Sequence, residues 1–592
     1  MRQKIFAITI RLPFVDNLTS KTALYFSIAL SFASILIGFS ISHSSRLYPW
    51  MGIVLLPMLL WLLVPLPFYS QDSYLAICFT AIVALAILFR VYVYQYPASM
   101  IGLDPDGYAY WVQGVMETGS ITAVRDSFYL KAPLFEVFPA IVGLLAGVDA
   151  PTAMVVYPAL TGLLFPLTAL LIVRKLTTDT WSKVAVVAAA IAGFCKMSVV
   201  LSYQPIAQTF GVLQWCILLV LLMGYVETRD SRRIVPIVLL FVAAIFTHKL
   251  PPTLIVALSV AFSSMVIVIN GLEKRGWPIL NYKKGISTDR VVLTVSLLSL
   301  ILYIQYFHVG GLGLRMINRV IFLLQSGSES ALYTPPPSYH NAVQVQNTVA
   351  SILLRRGHGL VLLPLGGISG LILVVANGRD DTVFAFSAAV VASLFIVASL
   401  VDPSIGGVGR SLYVAEPVLA ALASVCFLRL IPSLLDSDRK RMVLISVGAV
   451  LVGFIIIAQI ASVTTALPDR PTNYRMYLTD DELAGKQFAN EYVSGDISTD
   501  SYYASESTIR SISRHEDHEY QRLRLGFLFN SNMSTLEYRH ILIRPDVYLY
   551  RSSNGIFRIT WDVDQRLSSE YHKVYTNGDS VIFDRGKKRV LS

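Results

Sequence analysis

Charge is scarce in this sequence. Only 15% of its residues are Asp, Glu, Lys or Arg, against roughly a quarter in soluble globular chains. That shortfall excludes a protein dissolved wholly in water. Cysteine is scarcer still: Cys78, Cys195, Cys216 and Cys426 all fall in apolar stretches, and none stands at metal-ligand spacing. A disulfide framework and a zinc site are therefore not expected. The sequence has no internal repeat and no low-complexity run. No small-residue cleavage site follows the first apolar run near Thr22, so the N-terminus does not read as a removable signal.

Hydrophobic residues make up 54% of the 592-residue chain and mean hydropathy is +0.60. Apolar runs long enough to cross a hydrocarbon core of roughly 30 Å recur from residue 24 to residue 463. The spans read as residues 24–42, 48–68, 74–94, 152–173, 183–200, 206–226, 233–247, 252–270, 291–309, 358–376, 382–401, 411–431 and 442–463. The expected fold class is a polytopic α-helical membrane protein of about 13 transmembrane helices.

With the N-terminus in the cytoplasm, the cytoplasmic segments collect clusters such as Arg174-Lys175, Arg232-Arg233 and Arg439-Lys440-Arg441. The short external loops hold only Arg46, Lys196, Lys249 and Arg410. This bias follows the positive-inside rule. The net charge of +10 is then a matter of topology and does not call for a nucleic-acid partner. The expected location is a cell membrane, crossed many times.

Three segments fall outside: loop 95–151, loop 310–357 with its "TPPPS", and a polar tail from residue 467. The chain divides into a membrane domain, 1–466, and a small extracytoplasmic α+β domain, 467–592. In the tail, "TDDELAGKQFANEYV" reads as a helix capped by Thr479 or Asp480, with Ala484, Phe488 and Tyr492 on one face. "GDISTD" and "HILIRPDVYLY" read as strands, and "KVYTNGDSVIFDR" as a hairpin about Asn577-Gly578.

The first loop carries "GLDPDGYAYWVQG". Asp104 suits an N-cap, Pro105 the first helical position, and Asp106 the positive end of the helix dipole. Two carboxylates at a water–lipid boundary also suit a divalent cation such as Mg or Mn, or one of them can take a proton from an acceptor hydroxyl. "PLFEVFPAIVGLLAG", residues 133–147, is too short to span and reads as an interfacial helix. Its Glu136 lines a cleft or sits on a solvated face.

A span, an external acidic motif, short interfacial helices and a many-span bundle together resemble the GT-C superfamily of polyprenyl-phosphate-dependent glycosyltransferases. "LDPDGYAYWVQGVMETGSI" looks like the first-loop acidic motif of oligosaccharyltransferase catalytic subunits. "SYQPIAQTFGVLQW", "THKLPP", "GGVGRSLYVAEP" and the tail elements are similar to archaeal members. The resemblance implies transfer of a sugar from a polyprenyl- or dolichyl-phosphate donor to a glycan, lipid or protein acceptor on the external face. It implies Asp104 or Asp106 as base, with Asp106 preferred because Asp104 is the better cap.

His248, Lys249, Arg410, Arg355 and Arg356 are the candidates for the donor phosphate, since cations at the outer rim would steady the departing group. Glu136, Tyr203 and Gln204 are candidates for the acceptor cleft. The oligosaccharyltransferase WWDYG motif is missing, which disfavours transfer of a preassembled glycan to protein. A lipid-linked glycan flippase or transporter would call for ionisable groups deep in the spans or paired broken helices, and mid-span charge is scarce in the sequence.

Overall fold

The computed structural model describes residues 72–92, 94, 98–126, 128–177, 182–275, 342–344, 349–377, 379–401, 407–430, 477–506, 520–523, 539–545, 547–552 and 555–586, with a few isolated positions between 301 and 321. The spans expected at 24–42, 48–68 and 442–463, and nearly all of 291–309, lie outside the described residues.

The membrane part begins with α1 (Asp72–Tyr92), α2 (Leu103–Thr118), α3 (Leu134–Ala146), α4 (Ala150–Met154) and α5 (Val156–Thr177). It continues through α6 (Lys183–Phe194), α7 (Lys196–Ser202), α8 (Ala207–Thr228), α9 (Ile234–Ile245) and α10 (Leu250–Lys274). After strand β1 (Ala342–Gln344) come α11 (Val349–Asn377), α12 (Asp380–Val401) and α13 (Gly407–Val425).

Among the described residues, seven helical spans are long and apolar enough to cross a membrane, and α6 with α7 forms an eighth, bent by 44°. The span expected at 233–247 is the 12-residue α9, too short to count. The chain alternates between two faces. One gathers the ends of α1, α7 and α9 with the loop that carries α2 and α3. The other gathers Lys175, Glu227, Arg229, Arg379 and Asp380, where Lys175 pairs with Glu227 and Arg229 with Asp380 at 3.5 Å.

The bend between α6 and α7 exposes an arrangement that composition hides. Cys195, at φ −57° and ψ 140°, interrupts the helical ladder inside an apolar bundle, where freed amides and carbonyls have no water to turn to. Arg90, fully buried, donates through Nη2 to the Gly193 carbonyl at 2.7 Å and to Ser198 Oγ at 2.8 Å. Glu416, also fully buried, accepts the amides of Met197 at 3.0 Å and Ser198 at 2.7 Å, and lies 3.2 Å from His358 Nε2. Charge inside the bundle is thus scarce along the sequence but concentrated in space.

The tail folds as α14 (Asp480–Tyr492), β2 (Ile497–Thr499), α15 (Ser501–Ser505), β3 (Tyr520–Arg522) and β4 (His540–Ile543). Then follow β5 (Leu549–Ser552), β6 (Gly555–Ile559), α16 (Val563–Ser568), β7 (His572–Thr576) and β8 (Val581–Asp584). One sheet has the order β3-β2-β4-β8-β7, with β2 parallel to both neighbours. The other is β1-β6-β5 and takes its edge strand from the 310–357 loop. A common core containing Ala342, Ile541, Phe557 and Phe583 joins the two sheets.

The expected hairpin forms, with Gly578 at φ 98° in its turn. The expected cap on α14 is a reciprocal Thr479–Glu482 box. Of the expected face, Phe488 packs on the tail's core and stacks on Tyr575 at 4.1 Å between ring centres, while Ala484 and Tyr492 are exposed. Gly485, Lys486 and Ala489 also turn inward, where Lys486 Nζ forms a buried ion pair with Glu506 at 2.9 Å and bonds the Tyr503 carbonyl at 2.7 Å.

Breaking a buried ionic joint by removing one partner costs about 3–5 kcal/mol. Glu416→Ala is therefore expected to lower the Tm of the detergent-solubilised protein by several degrees, with Glu416→Gln intermediate. An unchanged Tm in thermal unfolding would remove the role given to this joint.

Candidate functional site

The acid helix α2 starts from Gly102, at φ 106°, with no side-chain cap. Asp104 is therefore inside the first turn and does not cap it, contrary to expectation. Gly102 takes this conformation where a Cβ would come within 3.2 Å of Gln204 Cγ, so the start of α2 lies directly against the mouth between α7 and α8. A helix placed two residues earlier than expected separates the two carboxylates. Asp104 is exposed. Asp106 is buried and accepts the Met100 amide at 3.0 Å.

Burial pushes the Asp106 carboxyl well above the usual carboxylate range, nearby Glu506 adds to the rise, and the Met100 bond and Lys486 oppose it. Asp106 thus braces the first loop on itself, where α2 meets the tail. The same junction is held by Ala98 N to the Leu478 carbonyl at 2.9 Å and Leu478 N to Ser99 Oγ at 3.0 Å.

Residues two apart on a helix do not face each other, so Asp104 and Asp106 do not fit a shared metal site. Among the described residues no group of three or more His, Cys, Asp or Glu side chains is placed to hold an ion.

Tyr108, one turn after Asp104, stands edge-on to Trp111, Tyr129 and Phe135 at 5.0–5.4 Å between ring centres. Glu136 follows Phe135 on α3. It is fully buried, and both carboxylate oxygens lack a hydrogen-bond partner among the described residues. Burial pushes its carboxyl up to about 8, with Asp126 contributing. It is not a solvated face residue.

A hydrogen bond from Leu134 N to the Phe246 carbonyl at 3.0 Å joins α3 to the turn that carries His248 and Lys249. That turn is fixed on α8 by Gln214 Nε2 to Thr247 Oγ1 at 2.8 Å, and by a contact in which a Cβ on Gly211 would come within 2.8 Å of Pro251 Cγ. His248 Nδ1 accepts the Leu250 amide at 3.1 Å and so caps α10. Burial, then Lys249 and Arg410, lower its pKa to about 3. His248, half-buried, thus braces the start of α10.

Lys249 and Arg410 are exposed and stand at the starts of α10 and α13, where helix dipoles add positive potential. Arg355 and Arg356 fall on α11, and their side chains lie outside the described residues. Tyr203 is buried, accepting Tyr94 Oη at its carbonyl at 2.6 Å and packing on Phe89. It therefore helps hold α1 against the end of α7. Gln204 is half-buried beside Gly102. Thr247, Gln214 and the Tyr108–Tyr129 pair were not singled out in the sequence; only the solved packing marks them.

No protein-family model matches the chain, and no curated protein matches it. Several solved structures resemble it. An Archaeoglobus fulgidus oligosaccharyltransferase tethered to an acceptor peptide with an NVT sequon is 12% identical, with 83% of this chain and 74% of that one covered and a TM-score of 0.49. ArnT from Cupriavidus metallidurans, bound to undecaprenyl phosphate, is 13% identical, covering 88% and 99%, with a TM-score of 0.43. The arabinofuranosyltransferase AftD from Mycobacteria is 11% identical, covering 87% of this chain but 40% of its own, with a TM-score of 0.42. These are distant likenesses of shape, and the chemistry has to be argued from the side chains.

Glu136 supplies a pH test. Its carboxyl has the ordinary glutamate value near 4.5 when unfolded and is pushed up to about 8 when folded, so ionisation penalises the folded state progressively between those values. Replacing it by Gln should leave Tm unchanged below about pH 4.5 and raise it increasingly up to about pH 8. A pH-independent difference would contradict the burial of an unpartnered carboxyl.

Proposed function

We propose that the chain is an integral-membrane glycosyltransferase that moves a sugar from a polyprenyl- or dolichyl-phosphate donor to an acceptor hydroxyl. The observation carrying this reading is the Leu134–Phe246 bond, which ties the acid loop to the basic turn at one face of the bundle. The expected acid–base set is thereby drawn from elements that touch.

Asp104 is the base. Its carboxylate is open to an acceptor, whereas that of Asp106 is spent on Met100. Asp104 takes the proton of the acceptor hydroxyl as that oxygen attacks the anomeric carbon. The bond from the anomeric carbon to the phosphate oxygen breaks, and its electron pair leaves with the lipid phosphate. Backside attack inverts the anomeric centre. Lys249 and Arg410 balance the charge that grows on the phosphate, Arg410 through forked donors and Lys249 as a point charge. The face with Asp104 is the external one, since Lys175, Arg229, Arg232, Arg233 and Arg379 collect on the other.

The broken span is the feature a transporter would share. Its carbonyl end holds Arg90 and its amide end Glu416. Both ends are thus occupied by the chain itself, which supports a structural joint over a substrate or ion site.

Asp104→Asn is expected to lower transfer from a radiolabelled polyprenyl-phosphate sugar in membranes by about 100-fold or more, within the usual range for a positioned acid–base group. Asp106→Asn should keep most of the activity. Lys249→Ala and Arg410→Ala should each reduce it. Equal loss in both aspartate variants, or loss in neither, would overturn the assignment of the base.

A further inference from the structure

We propose that the groove on the β1-β6-β5 sheet is a carbohydrate-binding site for a neutral oligosaccharide, holding the acceptor glycan. Its role in transfer rests on the function proposed above; its capacity to bind does not. The cavity measures about 560 Å³ and is lined by Val343, Tyr548, Arg558, Thr560, Trp561 and Asp562, with Ile559 at its floor. Pockets of roughly 300–1,000 Å³ suit small ligands, and a few sugar units fall in that range.

The lining chooses among ligand classes. One Arg and one Asp leave it without net charge, where a nucleic acid would need a cationic surface. Arg558, Thr560 and Asp562 interrupt any apolar path for a lipid chain. A sugar ring offers an apolar C–H face and a rim of hydroxyls. Tyr and Trp give broad, stiff contact surfaces at small entropic cost, and a guanidinium and a carboxylate supply planar donors and acceptors for adjacent hydroxyls.

The walls are also held in place before any ligand arrives, which lowers the cost of binding. Arg558 lies on the central strand, opposite Val343 on one side and Leu549 on the other. Tyr548 is held by its carbonyl, which accepts the Ile559 amide at 2.8 Å. Asp562 caps α16 by accepting the Gln565 amide at 3.0 Å, and Trp561 packs on the shared core. The unit containing this groove is the one docked on the acid helix, through Leu478 and through α15 against α2.

The test uses the full chain in lipid nanodiscs with maltotriose, cellotriose and mannotriose as probes, and a neutral hexapeptide as control. Saturation-transfer NMR should show saturable binding of at least one trisaccharide. The apparent Kd should rise tenfold or more in Tyr548→Ala and Arg558→Ala, whose side chains are exposed, and also in Trp561→Ala. Asp104→Asn should bind as the wild type does. Binding of none of the sugars, binding indifferent to Tyr548→Ala and Arg558→Ala, or binding of the peptide alone overturns the proposal. Sugar binding that follows these variants in a chain without transfer activity overturns the proposed reaction and leaves the groove standing. Transfer with an acceptor KM unchanged in these variants does the reverse.

Discussion

A helix interrupted within an apolar bundle must find partners for its freed backbone groups inside the protein, and the joint at Cys195 finds them in Arg90 and Glu416. The rest of this face depends on that exchange. It sets the direction of α7, which carries Tyr203 and then Gln204; Gln204 meets Gly102, and Gly102 begins the helix that presents Asp104. The two charged side chains are themselves expensive to bury, and each is offset by two hydrogen bonds to the break. His358 adds a third ionisable group against Glu416.

The acid helix is held from both sides, by the bundle at Gly102 and by the tail through α15. This divides the labour between two carboxylates that look equivalent in "LDPDG". The buried one anchors and the exposed one remains available. The basic turn is similarly divided: the His248 ring caps α10, while Lys249, like Arg410, stands exposed beside a helix start. The division follows from burial, since a group removed from water favours its neutral form unless it is paired.

Much of the scaffold was legible from local pattern. Apolar runs located α1, α5, α8, α10, α12 and α13 to within about one turn, and α11 except for its first nine residues, and turn chemistry located the β7–β8 hairpin. The acidic loop and the Lys249 and Arg410 positions were legible because charge is rare near them. Other features were not. The Arg90–Glu416 joint links residues far apart in sequence, so no window contains it. The burial of Lys486 in α14 was not visible either, because its ion pair with Glu506 lies outside any helical period. Likewise, β1 lies in a loop of turn-forming composition, and only pairing with β6 makes it a strand.

The central claim is that the face carrying Asp104 also receives the lipid phosphate, between Lys249 and Arg410. A structure of the full chain in nanodiscs with undecaprenyl phosphate bound tests it most directly. The phosphate is predicted within about 4 Å of both side chains, the range of direct ion pairing. A phosphate seated on the opposite face, among Lys175, Arg229 and Arg379, would contradict it.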